Sequence, residues 1–274
     1  MINIVTAIQC EAKPLLKRYG LRGGTDRGPF RIYEGEDMRL IVSGIGKIAA
    51  AAASSYVFTR FGRDPCSAWL NIGTAGHAAH PIGKGILAHK ITDAGSGLSW
   101  YPPLILEAHR HTDAIITVDR PALEYTGTAV HEMEAAGFYA TASRFATSEL
   151  VQCYKVISDN RARPAHLITK DFAASLIDEN ISEIGEIIQQ LNGLATRLSS
   201  INEEPSILNE ILANWRFTTY EQNRLRHLVR RWRLLSPGGQ EHSQVLAHCR
   251  TGKEVLACLQ AVVDEASCHA VTPR

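Results

Sequence analysis

Five short segments of this chain bring acids, hydroxyls and glycines together in patterns that suit chemistry. They are Gln9-Cys10-Glu11, Ser43-Gly44-Ile45-Gly46, Asn71-Ile72-Gly73-Thr74-Ala75-Gly76, His131-Glu132-Met133-Glu134 and Ser158-Asp159. A carboxylate can accept hydrogen bonds from two neighbouring hydroxyls at once. A carboxyl whose pKa is raised by burial can instead donate its proton. Glycine turns and a threonine such as Thr74 offer backbone N–H groups and a hydroxyl. Each acid also has a plain structural reading. Asp159 suits a turn or cap after a strand, Glu134 a helix N-terminus stabilised by negative charge, and Glu11 the first turn of a surface helix. Met133 suits core filling.

What would place these groups is the order of elements. Residues 2–8 are apolar and β-branched, as in a buried strand, and 11–19 read as a short helix with Pro14 in its first turn. Residues 30–34 and 38–43 form a hairpin pattern turning at Glu36-Asp37. Gly44 to Lys47 leads into an alanine-rich helix over 47–61, whose successive alanines from Ala49 to Ala53 predict close packing. Strands are predicted at 68–72, 85–92, 112–118 and 150–157, helices at 134–146 and 168–192. The stretch 93–111 reads as a loop broken by Gly95, Gly97, Pro102 and Pro103. Strands alternating with helices predict an α/β fold, a mixed, mostly parallel central sheet with helices on both faces. In such sheets ligands bind beyond the carboxyl ends of the strands. The reactive segments sit at those ends or at junctions with the following helices, so a parallel sheet would gather them on one rim.

The pattern changes after residue 200. Asn202-Glu203-Glu204-Pro205 reads as a linker, and 206–265 reads as helices interrupted by Ser236-Pro237-Gly238-Gly239. The expected organisation is an α/β domain over 1–200 and a helical C-terminal extension over 201–274. In the extension, Leu225, Leu228, Val229, Trp232 and Leu235 recur at helical spacing beside Arg224, Arg226, His227, Arg230, Arg231 and Arg233. Residues 218–235 therefore read as an amphipathic helix packed on its apolar side, or as a basic face contacting a protein or nucleic-acid partner.

Composition narrows the classes. Lys plus Arg total 29 against 28 Asp plus Glu, which does not point to nucleic acid or a membrane surface for the chain as a whole. Apolar residues make up 45% and charged residues 21%, as in a globular protein with a sizeable core. No run of about 18 apolar residues suggests a membrane span, and the first residues read as a strand rather than a signal peptide. The six cysteines form no Cys-x-x-Cys pair, which fits a reducing cytoplasm. Cys249, Cys258 and Cys268, near His248 and His269, are spaced too far apart for a zinc knuckle, so no metal is expected.

The same segments resemble those of a known family. Ile4-Val5-Thr6-Ala7-Ile8-Gln9-Cys10-Glu11 is similar to the first strand of the methylthioadenosine/S-adenosylhomocysteine nucleosidases and related nucleoside phosphorylases. Ser43-Gly44-Ile45-Gly46-Lys47 resembles their glycine turn, and Asn71 to Gly76 their Asn-x-Gly-Ser/Thr-Ala-Gly segment. Glu132-Met133-Glu134-Ala135 resembles their Met-Glu-Ala helix start, and Ile157-Ser158-Asp159 their Ile-Ser-Asp strand end. Five motifs in the right order carry the resemblance over residues 1–190. It implies a three-layer α/β/α fold and cleavage of the bond between a purine-like base and ribose. That reaction leaves positive charge on the sugar and negative charge on the base. Its site must protonate the base, hold the sugar and position an oxygen nucleophile. By resemblance Asp159 donates to a purine nitrogen such as N7, Glu134 clamps the ribose hydroxyls over Met133, and Glu11 helps activate water. Thr74, Gly76, Ser43, Gly44 and Ser158 are the further candidates for substrate contact. No metal or redox cofactor is implied, and the relatives suggest a homodimer.

Two nucleophiles stay open. Glu11 stands where the nucleosidases carry their acid, and the arginine loop of hexameric phosphorylases has no match after the first strand, which favours water. Arg161 and Arg163 keep phosphate, as co-substrate of a phosphorylase, in play. The chain also departs from the family. The stretch 93–131 is short, Pro121 falls where an aromatic stacks on the base, and His77 replaces a second glycine. Tyr125, Trp100 and Tyr101 are the aromatics available instead. A nucleoside-binding module without catalysis is one rival. Another is a nicotinamide enzyme, since Gly44-Ile45-Gly46-Lys47-Ile48-Ala49 matches G-x-G-x-x-A with Asp64 about twenty residues on.

Overall fold

A computed structural model describes residues 1–23, 28–62, 64–107, 111–121, 125, 127–202, 206–235 and 245–270. The chain forms two compact units, Met1–Thr196 and Arg197–Arg274.

Among the described residues the first unit contains ten strands: β1 (Ile2–Thr6), β2 (Arg22–Gly23), β3 (Arg31–Glu34), β4 (Met38–Val42), β5 (Ala68–Gly76), β6 (Gly85–Asp93), β7 (Ser99–Trp100), β8 (Thr112–Thr117), β9 (Val130–Glu132) and β10 (Val151–Asp159). Its helices are α1 (Gln9–Tyr19), α2 (Lys47–Arg60), α3 (Ala135–Ala142), α4 (Lys170–Glu179) and α5 (Ile181–Asn202), the unit boundary falling within α5. β1 lies between β4 and β5, parallel to both, and β10 runs parallel to β5 along its whole length. β6, β8 and β9 form a second parallel set. Antiparallel pairings of β10 with β6 and of β9 with β5 close this part of the sheet on itself, while β2 and β3 extend the other edge. Every residue of β1 and of β10 is buried, as in parallel strands covered on both faces. Helices cover both sides of the sheet, α1 packing with α4 and α2 with α3. The mixed α/β architecture expected from the alternation of strands and helices is therefore the one observed.

The alanine-rich helix packs closely, as its sequence suggests. Ala50 and Ala53 are fully buried, and α2 approaches α3 so tightly that a Cβ on Gly137 would overlap the carbonyl of Lys47. The Gly137→Ala variant should lose about 1–3 kcal/mol, because the overlap is with backbone and the two helices must separate. Thermal unfolding should show a fall in Tm of roughly 5 °C; an unchanged Tm would mean that the helices are not in this contact.

Several element boundaries differ from the sequence pattern. The helix expected over 168–192 is two helices meeting at Asn180. That residue's amide donates to the carbonyls of Gly83 and Leu176, and its oxygen accepts from the Tyr154 hydroxyl. A tertiary contact thus ends α4 where no glycine or proline marks a stop. β7 lies inside the expected loop 93–111. The short β9 has no periodicity to reveal it. α1 starts at Gln9, so Pro14 sits in its second turn rather than its first, and α3 stops at Ala142.

The second unit contains α6 (Ser206–Asn214), α7 (Thr219–Leu235) and α8 (Gly252–Ala270). Leu225, Leu228, Val229 and Trp232 form the buried stripe of α7 against Leu208 and Ile211 of α6 and Val255, Leu259 and Val263 of α8. α7 opens on a Thr-x-x-Glu capping box, Thr218 with Glu221. At the start of α8 the Thr251 hydroxyl accepts from the Glu254 N–H, while the Glu254 carboxylate accepts from the Arg250 N–H. Part of the basic face is engaged within the unit: Arg231 donates to the Ser267 hydroxyl and Arg226 to Asn223. Arg224, His227 and Arg233 are at least partly exposed. Residues 203–205 of the expected linker and the interruption at 236–239 lie outside the described residues. Among the described residues no helix is long and apolar enough to cross a membrane.

Candidate active site

The carboxyl ends of β1, β5, β9 and β10 surround a cavity of about 320 Å³. Glu11, Thr74, Gly76, Met133, Glu134 and Asp159 all line it. The sheet register brings together acids that lie far apart in the sequence.

Glu11 stands in the first turn of α1, where the backbone N–H groups have no helical partner. Its Oε2 accepts from the N–H groups of Ala7 and Ile8 at 3.2 and 3.3 Å. Its Oε1 accepts from the N–H and the hydroxyl of Thr74 at 2.8 and 2.9 Å. One carboxylate thus caps α1 and ties it to β5. Gly73 makes room for this arrangement, since a Cβ there would sit 3.2 Å from Glu11 Oε1 and 3.3 Å from Lys155 Nζ.

Glu134 precedes α3. Its Oε1 accepts from the N–H of Gly46 at 2.9 Å, and its Oε2 lies 3.7 Å from Lys155 Nζ. Burial raises its pKa to about 7, and the charges of Glu132 and Glu11 push the same way against Lys155 and the Gly46 N–H. Glu132, at the end of β9, accepts from the N–H groups of Glu134 and Ala135, both at 2.8 Å, and from the Thr117 hydroxyl. It is the anion that caps α3. Lys155, fully buried in the middle of β10, has its Nζ 2.9 Å from Glu132 Oε2. The geometry is not that of a regular hydrogen bond, so the pairing is ionic. Burial acts to remove the lysine proton, but Glu132 and Glu134 outweigh it and hold the pKa above the ordinary lysine value.

Asp159 ends β10 and is 6% exposed. Its Oδ1 accepts from the Ser158 hydroxyl, and its Oδ2 stands over Gly76. Burial alone raises its pKa to about 6. The acids of the site thus differ in environment, Glu134 beside a buried cation and Asp159 with none.

Three expected contact residues stand elsewhere. Ser43 and Gly44 do not line the cavity. The Ser43 hydroxyl donates to the Gly44 carbonyl at 2.7 Å, and the Gly44 N–H donates to the Ala7 carbonyl at 3.0 Å. These two residues build the turn that presents the Gly46 N–H to Glu134, with Gly44 and Gly46 at φ 88° and 103°. Ser158 lies outside the lining and supports Asp159. Lys155, Glu132, Ile45 and His131 belong to the site or its support, and no role for them is readable from the motifs. The sequence does carry a signal for Lys155, the one charge inside the buried run Val151 to Ile157.

Of the three candidate aromatics, Tyr125 lines the cavity, together with Pro121, and Trp100 and Tyr101 do not. Arg161 donates to the Tyr125 carbonyl at 3.3 Å, and Arg163 stacks on Phe172 at 3.6 Å; neither lines the cavity. Asp64, required by a dinucleotide site, instead binds the Cys66 N–H and the Ser67 hydroxyl ahead of β5. His77 gathers with His80 and Asp113. Its Nδ1 accepts from the N–H groups of Ala79 and His80, and its Nε2 faces the Thr128 carbonyl at 2.8 Å. With both ring nitrogens engaged, His77 fastens the end of β5 and is a poor metal ligand.

Comparisons with known proteins bear on this geometry. No family model matches the sequence, and no curated protein matches it. Solved structures match the fold. A mutant form of the Helicobacter pylori methylthioadenosine nucleosidase, with 5′-methylthioadenosine in its active site, superposes with a TM-score of 0.59 at 16% identity, over 69% of this chain and 98% of that one. Futalosine hydrolase of the same organism gives 0.59 at 16% identity, over 69% and 97%. The Neisseria meningitidis methylthioadenosine/S-adenosylhomocysteine nucleosidase, in complex with methylthio-immucillin-A, gives 0.55 at 21%, over 68% and 98%. At these identities the likeness establishes a shared fold, the one that the sequence motifs implied.

Proposed function

We propose that the chain is an N-ribosyl hydrolase acting on a purine nucleoside or a 5′-modified adenosine. The observation that carries this reading is that Glu11, Glu134 and Asp159 all line one cavity. Asp159, kept partly protonated by burial, donates to a base nitrogen as the C1′–N bond breaks and its electron pair moves onto the base. Glu134 accepts hydrogen bonds from the ribose hydroxyls, with Met133 beside the sugar. Glu11, fixed by its four hydrogen bonds, orients the water whose oxygen bonds to C1′ and receives the proton released. The nucleosidases that share the fold support the assignment.

Water is favoured over phosphate by the charge of the cavity. Its lining carries Glu11, Glu132, Glu134 and Asp159, and among the described residues no lysine or arginine. A phosphate dianion would meet repulsion there with no guanidinium to hold it. Ile45, Val118, Pro121 and Ile168 supply an apolar wall suited to an uncharged 5′ group. The test is release of free base from a panel of nucleosides, with and without phosphate. Cleavage in phosphate-free buffer is expected. A strict phosphate requirement would make the protein a phosphorylase, and cleavage of no nucleoside would leave only a binding module.

We also infer a homodimer. Ile45 and Ile48 at the start of α2, with Leu98, Tyr101 and Leu104, are large apolar side chains more than half exposed. Sedimentation at micromolar concentration should give twice the chain mass, and Ile48→Glu should shift it toward the monomer; a monomer in both cases would remove the inference.

A further inference from the structure

We propose that Tyr125 selects the base, by reading the substituent next to the nitrogen that Asp159 protonates; this rests on the hydrolase reading above. Gly76 forms part of the cavity floor, and a Cβ built on it would overlap the Tyr125 hydroxyl, its ring edge and Asp159 Oδ2 together. The two oxygens therefore stand side by side over one glycine. Asp159 Oδ1 is engaged by Ser158, and among the described residues neither the Tyr125 hydroxyl nor Asp159 Oδ2 has a hydrogen-bond partner. Both residues line the cavity.

Tyr125 is held in place. It is 7% exposed, its carbonyl accepts from Arg161, and its ring packs against His131 with centroids 5.7 Å apart. His131 also lines the cavity, and burial lowers its pKa below the ordinary histidine value. The hydroxyl is thus a fixed hydrogen-bonding group.

The chemistry of a purine fits this pair. N7 and the substituent on C6 project from the same edge of the base. A carboxyl donating to N7 leaves its neighbouring hydroxyl at the C6 substituent. A tyrosine hydroxyl can donate to an oxygen there or accept from an amino group, and it can do neither with hydrogen. A base lacking that substituent leaves a nearly buried hydroxyl unpaired, which costs roughly ten- to a hundredfold in kcat/KM.

The experiment compares inosine and adenosine with purine riboside, which carries hydrogen at C6. It measures both cleavage and calorimetric Kd, for the full chain and for Tyr125→Phe. The full chain should prefer the 6-substituted nucleosides by roughly ten- to a hundredfold, and Tyr125→Phe should bring the ratio close to one. A ratio near one in the unaltered chain, which requires no variant, overturns the proposal. So does a ratio that survives Tyr125→Phe. These results leave the hydrolase reading intact, because cleavage itself continues. Absence of both cleavage and binding for all three nucleosides overturns both.

Discussion

Replacing Asp159 with asparagine should lower kcat/KM for base release by about 10²–10⁴-fold, the usual worth of a positioned general acid. Asparagine keeps the shape and can still accept from Ser158, but it has no proton to give. The pH profile supplies the second readout. Asp159 has its pKa raised to about 6, so its donating form declines as pH rises through that value. Glu134, with a pKa of about 7, loses its anionic, hydroxyl-accepting form as pH falls below that value. The product of the two is a bell with its maximum between pH 6 and 7. Asp159→Asn should flatten the alkaline side.

Stability should move in the opposite direction. A carboxyl whose folded pKa exceeds its ordinary 3.8 binds its proton more tightly in the folded state. Its contribution to stability is greatest below pH 3.8 and is lost as pH rises to about 6. Asp159→Asn escapes that loss and should be more stable than the unaltered chain at pH 8, by about 1–3 kcal/mol in denaturant titrations. A variant that keeps full activity would end the proposed acid role. One that loses activity but gains no stability would show that burial is not what raises the pKa.

Lys155→Met should be the most destabilising single change at the site, by about 3–5 kcal/mol. The methionine fills similar volume, so the cost comes from charge. Glu132 and Glu134 lose the Lys155 cation, at 2.9 and 3.7 Å the one ion-pair partner they have among the described residues, while remaining buried. Glu132 must still cap α3, so it cannot simply turn toward solvent. Two further results would separate this account from plain packing loss. The double variant Lys155→Met/Glu132→Gln should be less destabilised than the sum of the single variants, because each removes the other's unpaired charge. Whatever activity Lys155→Met retains should have its acid limb shifted to higher pH, since the Lys155 charge is the larger of the two influences that lower the pKa of Glu134, the other being the Gly46 N–H. Additive single variants, or an unmoved acid limb, would mean that Lys155 acts only as filler.

How much of this was legible beforehand depends on the range of the interaction. Apolar runs and their spacing located β1, β5 and β10, and a glycine turn before an alanine-rich segment located α2. The positions of Glu11, Glu134 and Asp159 at element ends were readable for the same reason, because periodicity and breakers are local properties of the chain.

The tertiary structure alone decided what depends on register and closure. β5 pairs with β10 over 151–159 and with β9 only at Gly76, and these pairings put Lys155 beneath the acids and Asp159 over Gly76. No local spacing encodes which residues of two distant strands face one another, so the partners of Lys155 could not be read, nor the meeting of Tyr125 with Asp159. The same limit misplaced Ser43 and Gly44. Their residue types suited substrate contact, but their hydroxyl and N–H are committed to a turn that serves Glu134 from 88 residues away. A residue's chemistry is local, whereas the use made of it is fixed by whatever the fold brings within about 3 Å.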